Sequence, residues 1–185
     1  KELTMDIGIG LFGLGTVGSG VVKILQDNAD QIAKRTGTHL LVKHAVVNNL
    51  EKKRTGFINN FPITNDAKDI LNNPEIQIVV EVMGTLDQAY KIIKDSLTAK
   101  KHVVTANKDL IASRGQELVA IAEANGVDLF FEAAVAGGIP ILRTLANSFT
   151  ADEISRVAGI INGTSNFILT QMTTNKLSYA NALQL

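Results

Sequence analysis

Thirteen residues near the amino terminus, GIGLFGLGTVGSG from Gly8 to Gly20, hold six glycines. Such density lets a backbone approach a phosphate closely. The spacing G-x-G-x-x-G fits twice, at Gly8, Gly10 and Gly13 and again at Gly13, Gly15 and Gly18. A dinucleotide-binding turn needs a strand before it and a helix after it. In the first register only KELTMDI precedes the glycines, and LFGLG would have to open a helix, which is poor helix chemistry. In the second, MDIGIGLF is the strand and TVGSGVVKILQDNADQIAK the helix, with Val17, Val21, Ile24 and Leu25 on one face. The second register is therefore preferred. Gly13 then makes the tight turn, Gly15 lets the backbone approach a pyrophosphate, and Gly18 lets helix and strand pack closely. The helix start at Thr16 and Val17 presents free N–H groups and a positive dipole end. The competing reading is a glycine-rich turn with no ligand.

The elements that must position this turn alternate. HLLVKHAVV, IQIVVEVM, HVVTA and VDLFFEAAV read as strands. NDAKDILNN reads as a short helix stopping before Pro74. TLDQAYKIIKDSLTA is a helix opened by a capping box at Thr85 and Gln88, and SRGQELVAIAEAN a helix with a second box at Ser113 and Gln116, closed by Asn125-Gly126. Strand-helix alternation predicts an α/β fold, a doubly wound parallel sheet of Rossmann type. Ligands of such sheets sit beyond the carboxyl ends of the strands. Those positions are Gly13 to Gly18, Asn48-Asn49, Gly84-Thr85, Ala106-Asn107-Lys108 and Glu132 to Gly138, a set rich in small and polar residues with one well-placed lysine.

Composition narrows the chemistry. Apolar residues are 45% of the 185 and charged residues 19%, ordinary for a globular protein. Lys plus Arg equals Asp plus Glu, so no net field recruits nucleic acid, and no apolar run spans a membrane. Nothing reads as a signal peptide, so a cytoplasmic protein is expected. With no cysteine there is no disulfide, thiolate zinc site or thiol nucleophile. Three histidines, His39, His44 and His102, make a histidine metal cluster an unpromising reading.

An acid about 20 residues past the glycines would take the ribose 2′-hydroxyl and favour NAD. Here the second strand ends in Asn48-Asn49, followed by Lys52, Lys53 and Arg54. Loss of the acid with cations nearby favours NADP over NAD. The plain alternative is a solvated charge cluster on a loop.

After Val135 the pattern changes. GGIPILRTLANSF reads as a helix with Pro140 in its first turn, EISRVAGIIN as a strand, GTSNFILTQMTT as a helix and LSYANALQL as the start of another. A helix cut at Leu185 suggests a fragment. GLGTVGSGV, VVTANKDLIA, FEAAVAGGIPILRTL and GIINGTSNFIL, in this order and spacing, resemble homoserine dehydrogenase from about Ile7 onward. The last three motifs are far more specific than the first.

The resemblance implies interconversion of L-homoserine and L-aspartate 4-semialdehyde with NAD(P) as hydride carrier, a step toward threonine, methionine and isoleucine. It implies a dinucleotide-binding domain over 1–134 and the start of an α+β substrate and dimerisation domain over 135–185. Leu14, Thr16, Val17, Gly84 and Thr85 match its cofactor-contacting positions, and Asn48 and Lys53 stand where the ribose would be read. Lys108 matches a lysine between cofactor and substrate, and Thr164 in NGTSN a substrate-binding position, with a helix N-cap as its alternative role. Glu132, Val135, Gly137 and Ile139 match a loop holding a monovalent cation, sodium or a similar hard ion. The family is usually a homodimer acting on a small molecule, not on nucleic acid or membranes. Two departures matter. The family's basic residue and acid after the second strand are replaced by Asn48-Asn49, and its second lysine would follow Leu185, so a chain that binds cofactor with little turnover is expected. Among alternatives, aspartate semialdehyde dehydrogenase needs a cysteine nucleophile, a hydroxy-acid dehydrogenase would want a histidine where only His102 is near, and a nucleotide-sensing domain would need neither Lys108 nor NGTSN.

Overall fold

The computed structural model describes residues 5–53 and 61–185. It divides into two compact units, 1–135 and 136–185. Arg54, one of the cations expected near the cofactor, lies outside the described residues.

The first unit is a six-stranded sheet, with β1 (Met5–Phe12), β2 (Thr38–Val46), β3 (Ile63–Thr64), β4 (Ile76–Glu81), β5 (His102–Thr105) and β6 (Leu129–Phe130). The strand order is β3-β2-β1-β4-β5-β6 and every pair is parallel. This is the order of the doubly wound dinucleotide fold, with its crevice at the carboxyl ends of β1 and β4. Burial on both faces explains the near-continuous apolar strands. Leu11, Ala45, Val47 and Val80 pack on one face with Val22 of α1 (Thr16–Asp27). Phe12, Val46, Val79 and Val103 pack on the other with Ile92, Ile93 and Leu97 of α4 (Asp87–Thr98) and Leu110 and Leu118 of α5 (Lys108–Asn125). Alternate residues of each strand thus serve opposite layers, and each fully buried aliphatic side chain contributes about 2 kcal/mol.

Several expected elements differ. The first helix is two, α1 and α2 (Ala29–Thr36), because Asn28 leaves helical geometry and serves as the C-cap of one and the N-cap of the other. Its inward face is Gly18 and Val22, flanked by Val21 and Leu25; Val17 and Ile24 are exposed. The two-residue β3, too short to leave a pattern, pairs with Ala45 and Val46. The short helix α3 (Lys68–Leu71) forms as expected. The strand expected in VDLFFEAAV keeps only Leu129–Phe130, then tightens into a 3-10 turn over Glu132–Ala134.

Neither capping box forms. Leu86 is the N-cap of α4 and has no side-chain bond to offer. Helix α5 starts five residues before Ser113, because Asn107 caps it by accepting from Leu110 N–H. Ser113 instead donates back to Asp109 O at 2.8 Å inside the helix. At the amino end of the sheet Lys101 is only 5% exposed. Its Nζ donates to Asn73 O at 2.7 Å and Ile76 O at 2.6 Å, and burial pushes its pKa below the usual lysine range.

The second unit contains α6 (Ile141–Ser148), α7 (Gly163–Thr174) and α8 (Tyr179–Leu183). The strand expected over EISRVAGIIN is absent; residues 153–162 carry no regular structure. A strand needs a hydrogen-bonding neighbour, and no described strand lies in this unit. Val157, Ile160 and Ile161 are accordingly 62%, 78% and 91% exposed.

Candidate active site

Strand β1 ends at Phe12 and the chain reverses through Gly13 into α1. Gly13 has φ +102°, and its N–H donates to Val46 O at 3.0 Å. A Cβ there would meet Val82 O at 2.8 Å; one on Gly18 would meet Gly13 O at 2.0 Å. At Gly15, the N-cap of α1, a Cβ would meet nothing within 4 Å, so this face of the turn is open. Gly15 has no side chain to cap the first turn and no acid stands in it, which leaves its N–H groups for an anion. The rejected register also finds its explanation. Gly8 and Gly10 lie inside β1, where a Cβ would come 1.8 Å from Glu75 O and 2.5 Å from Ile70 Cγ2. These glycines admit neighbouring chain and side chain to the strand rather than a ligand.

Three turns meet at the carboxyl edge, those after β1, β4 and β5. Between them is a cleft of about 240 Å³ lined by Val17, Glu81, Gly84, Asn107 and Lys108, among others. The structure therefore brings three expected residues, Val17, Gly84 and Lys108, to one place. Val17 is exposed there because it faces the cleft instead of the core. Lys108 is the first residue of α5, fixed by the Asn107 cap. Thr85 closes the same turn, its carbonyl accepting from Asn107 Nδ2 at 2.7 Å. Thr16 is exposed at the start of α1. Leu14 is different: its side chain is 6% exposed and packs in the core, so only its backbone can face a ligand.

Asn48 and Lys53 are exposed on the loop after β2, outside the cleft lining. Asn49 Oδ1 accepts from the N–H groups of Glu51 and Lys52, at 2.9 and 3.2 Å, and folds this loop back. Glu132 and Val135 close the first unit, and Gly137 and Ile139 open the second. Among the described residues no group of three or more His, Cys, Asp or Glu could hold a metal, so any ion here would rest mainly on carbonyls. The carbonyl of Glu132 accepts from Val135 N–H at 3.2 Å, and that of Ile139 accepts from Ile141 N–H at 2.8 Å. Ala136 and Gly138 have φ of +49° and +85°, turns that redirect successive carbonyls. Thr164 is exposed on α7, but it is not the cap; Asn162 Oδ1 accepts from Ser165 N–H at 2.8 Å. His102 begins β5 at the amino edge, 3.1 Å from Asp128, away from the cleft.

Sequence reasoning missed Glu81 and Thr105. Both are essentially unexposed, at 0% and 1%, and face each other in register at the ends of β4 and β5. The available signal was an acid inside the apolar run IQIVVEVM, where a charge is costly.

The sheet order, the glycine turn and the cleft together define a Rossmann-type dinucleotide-binding protein. The family model "Homoserine dehydrogenase, NAD binding domain" matches residues 13–132, and "Homoserine dehydrogenase" matches residues 140–185. The chain belongs to the homoserine dehydrogenase family. It is 48% identical to homoserine dehydrogenase of Bacillus subtilis over 178 residues, covering 96% of this chain and 41% of that one. Its identity to the Lactococcus lactis enzyme is 43%, covering 97% and 42%. The crystal structure of a homoserine dehydrogenase from Thiobacillus denitrificans matches with TM-score 0.89 and 45% identity, over 98% of this chain and 42% of that one. The chain thus spans about two fifths of the length of these relatives. No described helix is long and apolar enough to cross a membrane.

Proposed function

We propose that this chain supplies the dinucleotide-binding part, and the opening of the substrate part, of an NAD(P)-dependent oxidoreductase interconverting L-homoserine and L-aspartate 4-semialdehyde. One observation carries the reading: Lys108, fixed at the first position of α5, shares a cleft with Val17 and Gly84. Thr16, Val17 and Gly18 present amides to the pyrophosphate, while Gly15 leaves room for it. The nicotinamide supplies hydride exchange with the carbinol carbon. Lys108 Nζ, at the start of α5, holds the substrate hydroxyl and takes or returns its proton as general acid or base. Asn48, standing where an acid would read the ribose, and Lys53 favour the 2′-phosphate of NADP, with Glu51 offsetting part of the loop's positive charge. Thr164 binds substrate. Glu132, Val135, Gly137 and Ile139 hold a monovalent cation that is structural, joining the 1–134 cofactor domain to the 135–185 substrate domain. The working assembly is a homodimer.

Titration calorimetry with NADPH and NADH tests this. Binding of both is expected, with NADPH tighter; tighter NADH overturns the NADP preference, and binding of neither overturns the dinucleotide reading. In a full-length protein carrying this segment, Lys108→Ala should lower homoserine-dependent reduction about 10²–10⁴-fold, with dinucleotide affinity little changed. An undiminished rate removes Lys108 from the chemistry.

A further inference from the structure

Glu81 is a fully buried carboxylate, and no salt bridge reaches it among the described residues. Its Oε1 accepts from Met83 N–H at 2.8 Å, and its Oε2 accepts from Thr105 Oγ1–H at 2.7 Å. Thr105 Oγ1 in turn accepts from Asn107 N–H at 3.1 Å. Asn107 then bridges outward, its Nδ2 donating to Thr85 O and its Oδ1 accepting from Leu110 N–H. The chain of bonds is continuous, running from Met83 through Glu81, Thr105 and Asn107 to Thr85. It ties the turn after β4 to the turn that launches Lys108.

A fold alone gains little from such a charge. Burying a carboxyl group with no cationic partner is costly even when it is hydrogen-bonded, and an apolar residue at the end of β4 would serve the sheet as well or better. Departures of this kind concentrate where a site requires them. The location is also specific. In the doubly wound fold the adenine half of the dinucleotide lies over β1 to β3 and the nicotinamide half over β4 to β6. The Glu81 network is confined to the second half and borders the Lys108 cleft.

We propose that the Glu81–Thr105–Asn107 network is a positioning device that sets the spacing of the two turns receiving the nicotinamide half of the dinucleotide. Glu81 touches no reacting atom in this scheme; it acts through the backbone of residues 83–85 and 105–108. The inference rests on the dinucleotide-binding reading above.

The test uses Thr105→Val, which keeps the side-chain shape and deletes the hydroxyl, and Thr105→Ser, which keeps the hydroxyl. Dissociation constants are measured for the tighter-binding dinucleotide, NADPH or NADH, and for its adenine half alone, 2′,5′-ADP or 5′-AMP. Thr105→Val should weaken the dinucleotide about ten-fold and leave the adenine half within two-fold; Thr105→Ser should restore the dinucleotide to within two-fold. Equal weakening of both ligands in Thr105→Val indicates a merely structural hydroxyl and overturns the proposal. So does no weakening of either. A parent chain that binds neither dinucleotide nor adenine half refutes the underlying reading, and the proposal with it.

Discussion

A methyl group on Gly18 would place its carbon 2.0 Å from Gly13 O, whereas one on Gly15 would meet nothing within 4 Å. The two glycines therefore separate packing from ligand approach, and their alanine variants should fail differently. Gly18→Ala must push α1 off β1, costing about 3 kcal/mol, an overpacking penalty with no flexible neighbour to yield. Gly15→Ala should leave stability within about 0.5 kcal/mol, since its φ of −83° suits any residue. It should nonetheless weaken dinucleotide binding by at least about ten-fold, because the new methyl stands where the pyrophosphate must come. Thermal melts and dinucleotide titration of the two variants check this. A harmless Gly15→Ala in both assays would mean that the turn only turns. Leu14 shows the limit of motif reading at this scale: its place beside the glycines is fixed by the core, not by a ligand.

Helix α5 carries the lysine, so its starting point decides where the lysine stands. The cap is Asn107, and replacing it with alanine should cost about 1 kcal/mol, near 2–4 °C in melting temperature for a chain of this size. Ser113→Ala, removing the residue that sequence pattern favours as the cap, should change almost nothing. Paired melts distinguish the two, and a larger loss in Ser113→Ala would contradict the structure. The error is instructive. T-x-x-Q and S-x-x-Q appear at Thr85 and Ser113, but a capping box works only where the chain is already leaving extended geometry. After β5 it does so at Asn107, and KDLIA continues the helix without a break. Strands β1 and β4 and helix α7 were legible because both apolar run and flanking signals agreed. Helix α7 matches its expected span, from Gly163 to Thr174. The Glu81–Thr105 pair was illegible because contact across strands is a property of register, which local pattern does not encode.

For the molecule as a whole, the carboxyl edge of the sheet holds the candidate chemistry and the amino edge holds Lys101. Burial lowers the pKa of Lys101 in the folded chain. Between that lowered value and the ordinary one near 10.4, the unfolded chain binds more protons than the folded one. Stability from this group therefore rises as pH rises through that window. Compared with Lys101→Met, the parent should gain stability as pH rises toward the ordinary lysine value. Denaturant melts of both proteins across that range check the slope, and a constant difference would show that the ammonium bears no burial penalty. The second unit was read less well than the first. Its helices were visible in sequence, but the strand expected over 153–162 depended on a neighbour that an apolar pattern cannot supply.

The position of β1 in the middle of the sheet has a consequence for synthesis. Phe12 pairs with Val46 on one side and with Glu81 on the other. A ribosome delivers the first of these neighbours well before the second. Until Glu81 emerges, the nascent chain holds a two- or three-stranded ribbon in which β1 is an edge strand, with an apolar face that neither α4 nor α5 yet covers. Non-local parallel pairing of this kind is slow and exposes sticky edges. The half of the sheet that cradles the adenine end is thus the first that can assemble, and the half that carries Lys108 completes it.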